Sequence, residues 1–174
     1  MLELVVSVAI FSVLMLSATQ IFKMVIDGQR SSISAQNVQE NIRYAMEKMS
    51  KEIRMAKISN QECDDEAVYK VFNTADDGRE LYFKNKNDEC VIYYLENNRL
   101  KMTVGLGEDA MADFITPSKI EVSNLKFYAD DDLIAAFHSK QPYVTMMMDV
   151  KAFGQAIHEQ KMKIQITVSS RYYE

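Results

Sequence analysis

The chain of 174 residues contains only two prolines, Pro117 and Pro142, so its first 116 residues lack the strongest helix breaker and a very long helix is permitted. Its two histidines, His138 and His158, stand twenty residues apart with no paired acid or cysteine at a ligand spacing, which leaves no Cys/His metal motif. A glycine-rich phosphate loop, a nucleophile elbow and a nucleophile–base signature are also missing. We therefore expect no catalysis and no cofactor. The formal net charge of -5 and a pI near 5.2 lack the basic footprint of a nonspecific nucleic-acid binder, so no specific nucleic-acid partner is expected. The length fits one soluble domain plus an anchor.

Cysteine is scarce too. Cys63 sits among turn-forming polar residues and Cys90 opens an apolar, strand-like run. If that part of the chain faces an oxidising compartment the two can bridge; the alternative is a pair of buried free thiols.

What the sequence does have is one uninterrupted apolar run at its start. From Leu4 to Phe22 there are nineteen residues without a charge, preceded by Glu3. As a helix this run spans roughly 28 Å, close to the ~30 Å of bilayer hydrocarbon. A secretory signal needs a basic start, a shorter apolar core and a small-residue cleavage site, whereas Met1 and Leu2 lead straight into an acid, and nothing marks the segment for removal. A carboxylate deep in a bilayer costs about 2.5–3.5 kcal/mol on insertion scales, so Glu3 needs a partner or an interfacial position, where it would snorkel to the headgroups.

Past Asp27-Gly28 the helical signal resumes. Ala35, Val38, Ile42, Ala45, Met49, Ile53 and Ala56 recur at spacings of three and four, one stripe on one helix face, while Gln39, Glu40, Arg43, Glu47, Lys51 and Arg54 lie opposite. The simplest reading is one helix from about residue 2 to 57, with 1–27 as a hydrophobic membrane half, 28–58 as an amphipathic half, and 59–174 as a β-rich head. Gly28 costs only about 1 kcal/mol in a helix interior and does not break it. No proline or glycine precedes Gly28, so length alone permits either a continuous helix or local unwinding near Ser17-Ala18-Thr19.

Beyond Ser59-Asn60 the period changes to two. Val68–Phe72, Leu81–Phe83, Val91–Leu95, Arg99–Val104, Ile120–Val122, Leu125–Tyr128, Tyr143–Phe153 and Lys161–Tyr172 read as strands, with an irregular connection from Gly105 to Ser118. Glu96-Asn97-Asn98 is turn chemistry and predicts a hairpin. Long strands joined by short turns predict an antiparallel sheet, against which Val38, Ile42, Ala45, Met49 and Ile53 pack. The expected fold class is therefore α+β, a long N-terminal helix on an antiparallel β head.

Two further clusters are ambiguous. Asp130-Asp131-Asp132 is a candidate calcium loop by charge, but it lacks spaced acids and a turn glycine, and a solvated hairpin tip is the favoured explanation. Of Met146-Met147-Met148, alternate members face opposite sides of a strand and core filling accounts for them.

The start Leu2-Glu3-Leu4-Val5-Val6-Ser7-Val8-Ala9-Ile10-Phe11 and the stem Gln36 to Ala56 resemble the type IV pilin superfamily, including its larger minor-pilin and J-type pseudopilin branch. Val91–Leu95 with Asn98-Arg99-Leu100, and Ile164 to Arg171, have the same flavour. The resemblance implies a structural subunit of a type IV pilus or related filament, resident in the inner membrane and then assembled extracellularly. Its implied partners are further copies or other pilins in a helical filament, together with the pilus assembly machinery. It assigns assembly roles to Glu3, which would meet the α-amino group of a neighbouring subunit, and to Met1, whose counterpart in the family is methylated. The acid stands third here and fifth in the family, so either two residues precede Met1 in the mature protein or processing differs. The rival readings are a minor pseudopilin of a type II secretion tip complex and a single-pass, membrane-anchored extracytoplasmic binding or sensor domain.

Overall fold

The computed structural model describes residues 2–60, 63, 68–107, 110–131, 141–152 and 161–171. One helix, α1 (Leu2–Arg54), runs without interruption for 53 residues, about 80 Å. It ends three residues before the sequence-based limit. Met55 and Ala56 donate their amides to Glu52 and Ile53, closing a tighter last turn, and Lys57 already pairs as a bridge with Lys84.

Among the described residues ten strands follow: β1 (Ser59–Asn60), β2 (Val68–Lys70), β3 (Phe72–Ala75), β4 (Glu80–Lys84), β5 (Cys90–Glu96), β6 (Arg99–Val104), β7 (Met111–Phe114), β8 (Ile120–Asp130), β9 (Tyr143–Ala152) and β10 (Lys161–Ser169). They form an antiparallel pair β1-β2, a five-stranded antiparallel sheet β3-β4-β5-β6-β7 and a three-stranded antiparallel sheet β10-β9-β8. The class is α+β, as the periodicity requires, but the head contains separate sheets where the sequence suggested one. The five-stranded sheet is a meander because each of its turns is short. Asn97 and Asn98, both at positive φ, make the two-residue turn between β5 and β6, with Glu96 opposite Arg99.

Two further differences have local causes. Met111–Phe114, inside the stretch read as irregular, pairs with β6 as the edge strand β7, too short to show a period of its own. Ser123-Asn124 does not end a strand. Asn124 takes a positive φ and β8 continues through a bulge, so Ile120, Val122, Leu125 and Phe127 all stay buried.

A single core joins the layers. Val38, Ile42, Ala45, Met46, Met49 and Ile53 of α1 pack in one cluster with Phe72, Leu81, Phe83, Tyr93, Leu100 and Phe127, and with Val144, Met146, Met148 and Val150 of β9. The stem runs nearest β9 and β10, while β8 lies against β3 to β6. Phe83 meets Phe72 edge-on and stacks on Tyr93, at centroid distances of 6.2 and 5.7 Å. Burial of the six stem side chains contributes on the order of 10 kcal/mol before the entropy of ordering is counted.

Candidate functional site

The chemistry this chain exposes is concentrated in the first half of α1. Every residue from Leu2 to Val25 is exposed, and the most apolar 18-residue window has a mean hydropathy of 2.2 with none of it buried. By length and composition this half is able to cross a membrane. Its serine and threonine hydroxyls are satisfied within the helix. Ser7, Ser12, Ser17 and Thr19 donate their hydroxyls to the carbonyls of Glu3, Val8, Val13 and Met15 at 2.6 to 2.9 Å. A medium that cannot hydrogen-bond, lipid or packed protein, can therefore surround the helix without stranding these groups.

Glu3 is exposed in the first turn, and among the described residues its carboxylate has no ion-pair partner. An acid there suits the positive end of the helix dipole. Met1 lies outside the described residues.

The second half fixes the first to the head. Val38, Ile42, Ala45, Met49 and Ile53 are all buried, and Met46, missing from the stripe read in the sequence, is buried beside Ala45. Ala35 is only half-buried, because docking begins at Val38. At the far end the last strand closes over the helix terminus. The Arg171 amide donates to the Arg54 carbonyl at 2.8 Å, and Ser170 Oγ donates to the Ala56 carbonyl at 3.1 Å. These contacts satisfy carbonyls that a helix end otherwise leaves open. Nothing in the local sequence of Ser170 or Arg171 announces the role, since their partners lie more than a hundred residues away.

Cys63 and Cys90 are joined in a disulfide and both are buried. The bond ties the segment between β1 and β2 to the start of β5. Nearby, Lys57 Nζ donates to both carboxylate oxygens of Asp88 at 3.0 and 2.9 Å. Hydrogen bonding to Lys57 holds the Asp88 carboxyl below the usual carboxylate range.

Of the acidic cluster, Asp130 and Asp131 are described. Asp130 ends β8 opposite Tyr143, and the Asp131 carboxylate accepts the amides of Val71 and Phe72, so it anchors the chain as it enters β3. Asp132, His138 and His158 lie outside the described residues, as do Tyr172 and Tyr173. Among the described residues no group of three His, Cys, Asp or Glu side chains is placed to hold a metal ion. Met146 and Met148 are buried and Met147 points outward from the same strand.

A recess of about 690 Å³ beside the stem is lined by Arg43, Lys51, Arg54, Lys86 and Arg171 with Glu47 and Glu52. Lys51 and Arg54 sit in the last turn of α1, where cations complement the helix dipole.

The exposed apolar half-helix followed by an antiparallel β head is consistent with a pilin-like architecture. No protein-family model, curated protein or solved structure matches the chain.

Proposed function

We propose that this protein is a structural subunit of a type IV pilus or related filament, with a mechanical rather than a catalytic role. The observation that carries the reading is the division of α1. One half is bare and membrane-length, and the other is built into a β head. The bare half holds the subunit in the inner membrane before assembly and afterwards packs against the same half of neighbouring subunits. There, apolar side chains exchange lipid for one another, and close packing supplies the association. The head forms the outer surface, where its disulfide belongs to an oxidising environment. Partners are further copies or other pilins, with the assembly machinery of that filament type.

Glu3 takes the α-amino group of a neighbour as its partner, because a carboxylate without one is expensive in an apolar core. The test is Glu3→Ala in the full chain. Membrane insertion should persist while filament yield falls sharply, and normal yield would remove the role. A simple anchored binding domain would tolerate Glu3→Gln and scrambling of residues 4–22 at constant hydrophobicity, whereas a filament subunit would not.

A further inference from the structure

Strand β10 is an edge of the three-stranded sheet. It pairs with β9 through nine residues in one unbroken register, and among the described residues no strand pairs with its other side. The backbone amides and carbonyls on that side are a template for one more strand. Proteins commonly blunt such an edge with proline, a bulge or charge. From Ile164 to Ser169, β10 has none of these, and Ile164, Ile166, Thr167 and Val168 are strong strand formers. Its inward side chains are also incompletely covered. Met146 and Met148 of β9 are buried, whereas their partners Ile166 and Ile164 are only half-buried.

This edge borders the recess beside the stem, which Ile166 and Arg171 line from the strand side. From the helix side, Arg43, Glu47, Ser50 and Arg54 stand at spacings of four, three and four, one row along α1 next to its buried face. Arg43 to Arg54 covers roughly 16 Å, the length of about five extended residues. Charge along this corner is unbalanced. Glu47 holds Arg43 at the surface, but Arg54, Arg171 and Lys163 make no ion pair among the described residues. The bond from the Arg171 amide to the Arg54 carbonyl, at 2.8 Å, keeps two of these cations side by side. Glu52, the other acid at the recess, stands well around the helix from this row.

We infer that this corner receives an extended acidic segment of another protein, added along β10 as a fourth strand with its carboxylates toward Arg43, Arg54 and Arg171. Backbone pairing supplies the affinity, and the guanidinium forks, which match a carboxylate bidentately, select an acidic sequence. The added strand also covers Ile164 and Ile166. A second copy of the chain does not suit the same edge. Two β10 strands paired antiparallel about Ile166 would set Lys161 against Arg171, like charge against like. The inference does not depend on the filament reading, since the corner belongs to the head and stem of a single chain.

The test uses the full chain in detergent and a pool of short synthetic peptides with Asp or Glu at alternate positions and Val, Ile or Thr between them. The pool should slow amide hydrogen exchange from Ile164 to Ser169 by about tenfold or more, and a pool with Lys in place of the acids should not. Arg54→Glu with Arg171→Glu should reverse that preference, with the melting temperature of the head showing that the variant is folded. If the reversal does not fold, Arg54→Gln with Arg171→Gln should weaken the response to the acidic pool by about tenfold. No protection by any acidic peptide, binding that leaves the β10 amides unprotected, or an equal response to both pools would overturn the inference. Protection of the same amides in the chain alone, lost on dilution, would assign the edge to a second copy and overturn it as well.

Discussion

The two halves of α1 share one backbone geometry and no gap separates them, yet they obey opposite burial rules. Ile10 is 58% accessible and Ile53 is fully buried. Neither the helix nor the residue type explains the contrast. What differs is where the missing apolar partner is found. For Ile53 it is the head, folded from the same chain. For Ile10 it must come from outside, as lipid or as another subunit. The stem can therefore be understood as intramolecular core, and the first half as an interface whose other side is absent from a single chain.

The sharpest way to break this comparison is the same substitution in each half. Ile53→Asp puts an unpaired carboxylate into the core and should destabilise the head by about 4 kcal/mol or more, whereas Ile10→Asp should leave the head's denaturation midpoint unchanged and weaken only membrane insertion. Equal effects on the head would show that the two halves are not independent.

Removing the disulfide acts on the head alone. With Cys63 and Cys90 separated by 27 residues, Cys63→Ala with Cys90→Ala should cost about 3–4 kcal/mol in the chain-entropy description, seen as a lower denaturation midpoint. Helicity of the first half should not change. A smaller effect is expected at Gly78, which has a φ of +80° and where a Cβ would lie 2.7 Å from the Phe127 carbonyl oxygen. Gly78→Ala should cost about 1–3 kcal/mol through backbone strain and displacement of β8. Gly28, with nothing within 4 Å of a Cβ, has no such penalty.

The smallest effect concerns a core tyrosine. Tyr93 is fully buried and its hydroxyl has no hydrogen-bond partner among the described residues. Burial, with a smaller contribution from the Glu52 charge, pushes its phenol well above the ordinary value of 10.0. The folded state thus holds the proton more tightly than the unfolded one. That contribution to stability is complete below pH 10 and is lost as pH rises above it. Tyr93→Phe should raise stability at neutral pH by up to about 1 kcal/mol and flatten the alkaline decline. Urea titrations at pH 8 and pH 11 would measure both.

Much of this architecture is legible in the sequence because it depends on period. The charge-free run from Leu4 to Phe22 fixes a membrane-length helix, the three-four spacing from Val38 to Ile53 fixes the stem's inner face, and Asn97-Asn98 fixes a hairpin turn. Other features have no periodic signature. Asp131 reads as part of an acidic run, and its role as an anchor for Val71 and Phe72 exists only once β8 and β3 are neighbours. The pairing of β7, a strand of four residues, is likewise decided by the edge that β6 presents.

For the candidate site the same distinction holds. Glu3 and the apolar run are visible at once, because a charge beside nineteen uncharged residues is a local contrast. Ile33, Tyr44 and Met55 lie off the three-four stripe that the sequence marks, and only the burial of the stem shows that the head leaves them uncovered. Sequence by itself determined the elements, their periods and the existence of one bare apolar half-helix, because each follows from contacts a few residues apart. Only the tertiary structure decided the disulfide, the division of the head into separate sheets and which apolar side chains of the stem remain uncovered, because each depends on residues that the chain brings together from far apart.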